Sequence, residues 1–153
     1  MSHHSYLVSV SRQIPAPAGR LFDIVADPSM HPRLDGSGSV RANRGDVPER
    51  LSLGATFSMD MHLKASYRIT NTVVEFEEGR RIAWRHFNGH RWRYLFEPTD
   101  DGGTLVTEQW DARTTPTRFF LRLLGFPAMA AEAIPATLDN LAALATEGEP
   151  AGS

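Results

Sequence analysis

From Tyr6 to Ile14 the chain reads YLVSVSRQI, with Leu7, Ser9 and Ser11 alternating with Val8, Val10 and Arg12. A period of two predicts a strand. The period then changes: Leu21, Phe22, Ile24 and Val25 fit one face of a short helix that Asp27-Pro28 ends. An irregular stretch with room for a further helical turn leads to a predicted strand near 38–44, and 43–54 is rich in turn formers. Phe57, Met59, Met61 and Leu63 then alternate with Thr56, Ser58, Asp60 and His62. That pattern predicts a strand wet on one face only, which favours an antiparallel sheet. SYRITNTVVEFEEG predicts another strand, bulged near Val73-Val74 where the alternation slips. Two ring-rich runs flank Asn88-Gly89, and GGTLVTEQWDA is the last strand.

From Pro116 to about Thr146 the composition shifts to Leu, Ala and Phe. Thr115 is placed to cap a helix there, and Ile134, Leu138, Leu141 and Ala145 share one of its faces. Gly125, Pro127 and Pro135 predict a kinked or two-piece helix, not a straight rod. The order is strand, short helices, about six more strands and one long helix. A sheet with one dry face needs a cover, and the terminal helix is the element large enough to provide it.

Asn88-Gly89 between two strand-like runs predicts a two-residue turn. Phe87 then faces His90, Arg85 faces Trp92 and Ala83 faces Tyr94. Directly opposed residues share a face, so Arg85 and Ala83 join Trp92, Tyr94 and Phe96 on the covered side. Ile82, Trp84, His86, Arg91, Arg93 and Leu95 face solvent. A guanidinium on the dry face needs a partner. Glu108 shares a face with Val106 and Trp110 and is expected to point inward to supply one, with Asn71 as a third inward polar group. Two readings stay open: a structural ion pair, or a few polar groups that orient a ligand in an apolar cavity.

A chain of 153 residues reads as one domain, 1–153, with a core over about 6–146 and a tail at 147–153 that frays. The net charge is −2, so general affinity for nucleic acid or an anionic membrane is not expected. The absence of cysteine excludes disulfides, thiol catalysis and cysteine-bound metals. Neither a signal-like amino terminus nor a long apolar run is visible, which predicts a cytoplasmic protein without stable membrane insertion. The cations are Lys64 and otherwise arginine, read as GC-rich bacterial coding. Arg80, Arg81, Arg91 and Arg93 are read as a solvated face.

None of the six histidines has the spacing of a metal-binding pair on a helix, so neither a metal site nor a cofactor is expected. All six are expected at the surface. His31 is the one to watch, because it lies in DPSMHPRLDG near Asp35, where a cavity mouth could open and where it could act as an acid–base group. Asp100-Asp101-Gly102-Gly103 is read as a hairpin connection. The run from Phe119 to Phe126 is apolar nearly all round and leaves a homodimer interface or a cavity gate open.

VSVSRQIPAPAGRLFDIVADPSMHPRLDGSGSV, NTVVEFEEGRRIAWRH, HRWRYLFEPTDDGGTLVTEQWD and IPATLDNLAALA together resemble the SRPBCC, or START-like, superfamily, and most of all its polyketide cyclase/dehydrase and lipid-transport group. The resemblance runs from about Tyr6 to Thr146. It implies an α+β helix-grip fold: a curved antiparallel sheet of about six to seven strands wrapped around a long carboxy-terminal helix, with short helices after the first strand. It also implies a cavity between sheet and helix for a small hydrophobic molecule such as a lipid or polyketide. The superfamily has no single catalytic set, so none is carried over.

With that fold, Phe57, Met59, Met61, Tyr67, Ile69, Asn71, Trp92, Tyr94 and Trp110 are the candidate sheet-side lining. Met129 and Ile134 are the helix-side candidates, and Arg85 and Glu108 would meet a polar group on the ligand. The alternative is a cyclase or dehydratase in which Glu108 accepts a proton and Arg85 stabilises an oxyanion, with His31 as a substitute base. A third reading is a partner-binding domain whose cavity has collapsed.

Overall fold

A computed structural model describes residues 2–4, 6–36, 40–44, 48–62, 66–86 and 89–146; the side chains of 2–4, 40–44, 59–62 and 66–68 fall outside that description. The expected tail at 147–153 lies outside the described residues. The strands are β1 (Ser2–His4), β2 (Leu7–Ile14), β3 (Val40–Arg44), β4 (Thr56–His62), β5 (Ser66–Glu77), β6 (Arg81–Arg85), β7 (Arg91–Pro98) and β8 (Thr104–Asp111). The helices are α1 (Ala18–Val25), α2 (His31–Leu34), α3 (Arg118–Leu123) and α4 (Phe126–Thr146), with a short 3-10 turn at Pro28–Met30. All strands join one antiparallel sheet in the order β1-β2-β8-β7-β6-β5-β4-β3. It is a meander from β3 to β8 whose last strand pairs back to β2. The short strand β1 extends that edge beyond the six to seven strands expected. The sheet is curved, and the chain has the α+β helix-grip architecture.

Helix α4 covers β2 and β8 and packs on α1 and α2. Its buried positions Ala130, Ala133, Ile134, Thr137, Leu138, Leu141 and Ala145 recur every three or four residues, so a single stripe meets the sheet. The covered face of β8 is equally regular: Thr104, Val106, Glu108 and Trp110 are all buried, and the residues between them are half-buried. The two-piece terminal helix is present, with the break at Gly125, whose φ of +82° suits glycine. Thr115 is not its cap. Helix α3 begins after Thr117, and the buried Thr115 hydroxyl has no partner among the described residues.

Gly36 is required by close approach. A Cβ there would lie 2.5 Å from Thr137 N and 2.6 Å from Ala133 O of α4. The Gly36 amide donates to Thr137 Oγ1 at 2.8 Å, and Asn140 Nδ2 donates to the Leu34 carbonyl at 3.1 Å. These contacts fix the segment carrying His31 and Asp35 against α4.

The hairpin register differs by one residue from the expected one. Arg85 pairs with Arg91, Trp84 with Trp92, Ala83 with Arg93 and Ile82 with Tyr94. The His86 amide donates to His90 O at 2.8 Å, and the Gly89 amide donates to His86 O at 2.9 Å. Three residues therefore separate the paired ends, and Gly89 adopts φ +92°, as in the longer loop that ends on a left-handed glycine. Phe87 and Asn88 lie outside the described residues. The one-residue change reverses every face on β6. Trp84 turns to the covered side at 9% exposure, and Arg85 is exposed on the outer side. Burying an indole instead of an unpaired guanidinium explains the choice.

On the outer face, Glu75, Ala83, Arg93 and Gln109 follow one another across four strands. Arg93 reaches over Ala83 to Glu75 at 2.7 Å and on the other side to Asp111 at 3.0 Å. Arg91 also bonds Glu75, at 2.7 Å. Strands two apart are about 10 Å from each other, and the span is open because residue 83 is no larger than alanine. The hydrogen bond from Arg93, helped by Arg91, lowers the Glu75 pKa to about 2. Burial opposes ionisation of Asp111, but its bonds from Arg113 and Arg93 hold that carboxyl well below the usual range. The basic group is thus partly an ion-pair lattice, with Arg93 only 13% exposed.

Candidate functional site

The covered face between the sheet and α4 is built in rows. Val73, Trp84, Trp92, Trp110 and Val8 are successive partners across β5, β6, β7, β8 and β2, so the chain's three tryptophans lie in one line. The next row runs Phe76, Ile82, Tyr94, Glu108 and Val10. Beyond the expected bulge, where the β5 register shifts between Val73 and Glu75, Asn71 pairs with Phe57 and is buried at 4%.

Phe57, Ile69, Asn71, Tyr94, Glu108, Trp110 and Ile134 are buried, and Trp92 and Met129 are half-buried. Met59 pairs with Ile69 and Met61 with Tyr67 in the backbone ladder; the side chains of Met59, Met61 and Tyr67 are outside the described set. Arg85 is not part of this face. The proposed Arg85–Glu108 pair is therefore absent, and so is the oxyanion role given to Arg85.

Glu108 instead meets Tyr94, its cross-strand partner, whose hydroxyl hydrogen-bonds the carboxyl. Burial pushes the Glu108 pKa well above the usual carboxylate range, against that hydrogen bond, and the charge of Asp35 adds to the rise. Burial and the neighbouring Glu108 likewise push up the Tyr94 phenol. Burial therefore favours the protonated form of both groups. Several buried atoms have no hydrogen-bond partner among the described residues: Glu108 Oε1, Trp110 Nε1, Asn71 Oδ1 and His90 Nδ1. An unmatched buried polar group costs about 1–3 kcal/mol, so the interior has hydrogen-bonding capacity that its described residues leave unused.

His31 is buried at 5%. Its Nε2 lies 2.9 Å from the Val25 carbonyl, its ring stacks on Trp84 at 4.9 Å, and it meets Phe57 edge-on at 5.3 Å. Burial lowers its pKa to about 4, so it is a neutral ring that donates to a backbone carbonyl and packs the tryptophan row. The expectation of surface histidines also fails for His90, which is buried, and in part for His86, which is half-buried. Their rings lie 4.7 Å apart, and His90 lies 5.6 Å from Trp110 and 5.9 Å from Phe126. Burial lowers His86 to about 3, with His90 adding to the effect, and lowers His90 to about 4. Among the described residues no group of three potential ligands could hold a metal ion.

Sequence reasoning missed Trp84 and His90 as members of this face. The available signal was Phe87-Asn88-Gly89 itself, which suits a three-residue loop ending on glycine as well as a two-residue turn. Only the longer loop avoids burying Arg85.

This interior, with a long helix gripped by a meander and a few polar groups set among aromatic rings, can be compared with known proteins. The model of a family described as polyketide cyclase / dehydrase and lipid transport matches residues 6–146. The chain belongs to that family. This polyketide cyclase/dehydrase-family chain is 42% identical over 139 residues to the uncharacterized protein Rv0088 of Mycobacterium tuberculosis. The match covers 88% of this chain but 62% of that protein. Among solved structures, it is similar to the Polyketide_cyc-like protein Cgl2372 from Corynebacterium glutamicum, with TM-score 0.64, 24% identity and coverage of 94% and 93% of the two chains. It is also similar to protein NE0264 from Nitrosomonas europaea, with TM-score 0.72, 16% identity and coverage of 95% and 97%. At these identities the structural matches speak for fold alone. Among the described residues no helix is long and apolar enough to cross a membrane.

Proposed function

We propose that this family member encloses a small, largely apolar molecule bearing a carbonyl or hydroxyl oxygen, held between α4 and the tryptophan row. The observation that carries this is Glu108, a buried carboxyl whose Oε1 has no partner among the described residues, two residues along the same strand face from the equally unmatched Trp110 indole N–H; burial favours its protonated form. The two groups are about 7 Å apart along the strand. A protonated carboxyl and an indole both donate, so both suit a ligand oxygen. The rings around them suit an apolar body. The family's description, which includes both polyketide cyclisation and lipid transport, agrees with such a ligand, and a cytoplasmic location fits the reading.

Organic extraction of the purified protein followed by mass spectrometry tests it. A co-purifying apolar compound with an oxygen function, recovered near one per chain, supports the proposal. An empty extract, together with no binding of added fatty acids or polyketides, would make the interior a packed core and leave the partner-binding reading.

A second reading rests on the raised pKa of Glu108. A carboxyl whose protonated form is favoured by burial suits a general acid, able to protonate a leaving hydroxyl in a dehydration or a carbonyl in a cyclisation. Glu108→Gln separates the two readings: binding retained with turnover lost supports the enzyme, and equal turnover removes it.

A further inference from the structure

Helix α3 and the turn after it carry an apolar surface that the fold does not use. Phe119 is 55% exposed, and Phe120, Leu123 and Leu124 are each 66% exposed. Leu121 alone of the helix is buried. Single exposed apolar residues need no explanation, but these four fall within six consecutive positions.

Along this stretch of chain the charges are of one sign. From Ala112 to Ala131 the chain has Arg113, Arg118 and Arg122 and no acidic residue, and all three arginines are exposed. Arg118 and Arg122 lie over the Tyr6 ring at 5.5 Å and 5.9 Å, and Arg122 lies over Phe119 at 5.5 Å. The cations are thus held at the border of the apolar patch. Asp111, the nearest preceding acid, is already engaged by Arg93 and Arg113. The chain as a whole is at −2, and Arg118 and Arg122 are the cations that border this patch.

A second copy of the chain is a poor occupant. A two-fold interface would bring two copies of the same basic, acid-free stretch together. An anionic bilayer accepts both parts of the patch: phenylalanine and leucine enter the headgroup–acyl boundary, while guanidinium groups stay with the phosphates. We propose that α3 docks this protein peripherally on an anionic lipid bilayer. The patch leads through Phe126 to the end of the interior, where His90 and Trp110 lie. The inference does not depend on that interior holding a ligand.

Vesicle sedimentation tests it, using phosphatidylcholine vesicles and phosphatidylcholine vesicles containing about 30% phosphatidylglycerol. The full chain is expected to sediment with the anionic vesicles and weakly with the neutral ones. A variant with Phe119→Ser, Phe120→Ser, Leu123→Ser and Leu124→Ser should partition at least about tenfold less. A second variant, Arg118→Ala with Arg122→Ala, should lose the preference for phosphatidylglycerol. Circular dichroism confirms that each is folded, and the serine variant decides alone if loss of the Tyr6 stacking unfolds the other. No sedimentation with anionic vesicles would overturn the proposal, as would equal partitioning of the serine variant. A concentration-dependent dimer that the serine variant dissolves, with no vesicle binding, would assign the surface to a second copy instead.

Discussion

Replacing Glu108 by glutamine isolates the effect of holding a carboxyl in the interior. Glu108 is 2% exposed, and burial raises its pKa well above the ordinary 4.5. The folded protein therefore keeps the proton that the unfolded chain releases near 4.5. Above 4.5, and up to the raised folded value, the folded state binds one more proton than the unfolded state. Stability must then fall as pH rises, by up to about 1.4 kcal/mol per pH unit from this group. Glutamine keeps the size and shape, keeps an oxygen to accept from Tyr94, and has no proton to lose. His31, His86 and His90 tilt the other way: their folded values are lowered to about 4, 3 and 4, so their contribution is lost as pH falls below the ordinary 6.5. They are present in both proteins and cancel in the difference. Urea unfolding followed by circular dichroism, run from about pH 5 to about pH 8, measures that difference. The stability of Glu108→Gln minus that of the parent should grow with pH, at up to about 1.4 kcal/mol per unit. A difference that stays flat across the range would refute a buried neutral carboxyl at this position.

Trp84→Ala should cost about 3–5 kcal/mol, while Arg85→Ala should change stability by less than about 0.5 kcal/mol; the reverse order in urea melts would reverse the faces of β6. Ala83→Leu should cost about 2 kcal/mol, because the added bulk occupies the path of Arg93 to Glu75, and a neutral result would mean that the ion pair does not need that gap. The Glu75 pair, with the carboxyl lowered to about 2, contributes stability that is present above 4.5 and lost as pH falls toward about 2. Glu75→Gln should flatten that acid limb, with about 1–2 kcal/mol at neutral pH after solvent screening. Gly36→Ala should lower the thermal midpoint, because its Cβ would lie 2.5 Å from a backbone nitrogen of α4; an unchanged midpoint would show that α4 moves freely there.

The strands and helices were legible because each has one covered face. The alternation in Thr104–Asp111 and the spacing of Ile134, Leu138, Leu141 and Ala145 are burial written directly into the sequence, and both reappear as buried sets. Glu108 was read as inward for the same reason. The hairpin was harder because both runs are rich in rings and arginines, so neither face of β6 is clearly the apolar one. The register then rested on the length of one loop, and a single residue of error exchanged Trp84 for Arg85. His31, His86 and His90 were misread because a histidine's surroundings come from distant parts of the chain. Trp84, Val25 and Phe57 around His31 are set by tertiary packing. The break before α4 and the bulge in β5 were visible because glycine, proline and a slipped alternation act locally.

The interior site is tested most directly by quenching tryptophan emission with a brominated fatty acid, 9,10-dibromostearic acid, which acts only at short range. All three tryptophans lie in one row of the sheet's covered face, so the signal reports that face. The α3 serine variant is the protein to use, because it removes the exposed apolar surface. Saturable quenching near one molecule per chain, reversed by unbrominated stearic acid, is the predicted result. Quenching that rises linearly without saturation, or none at all, would contradict an apolar ligand held beneath the terminal helix.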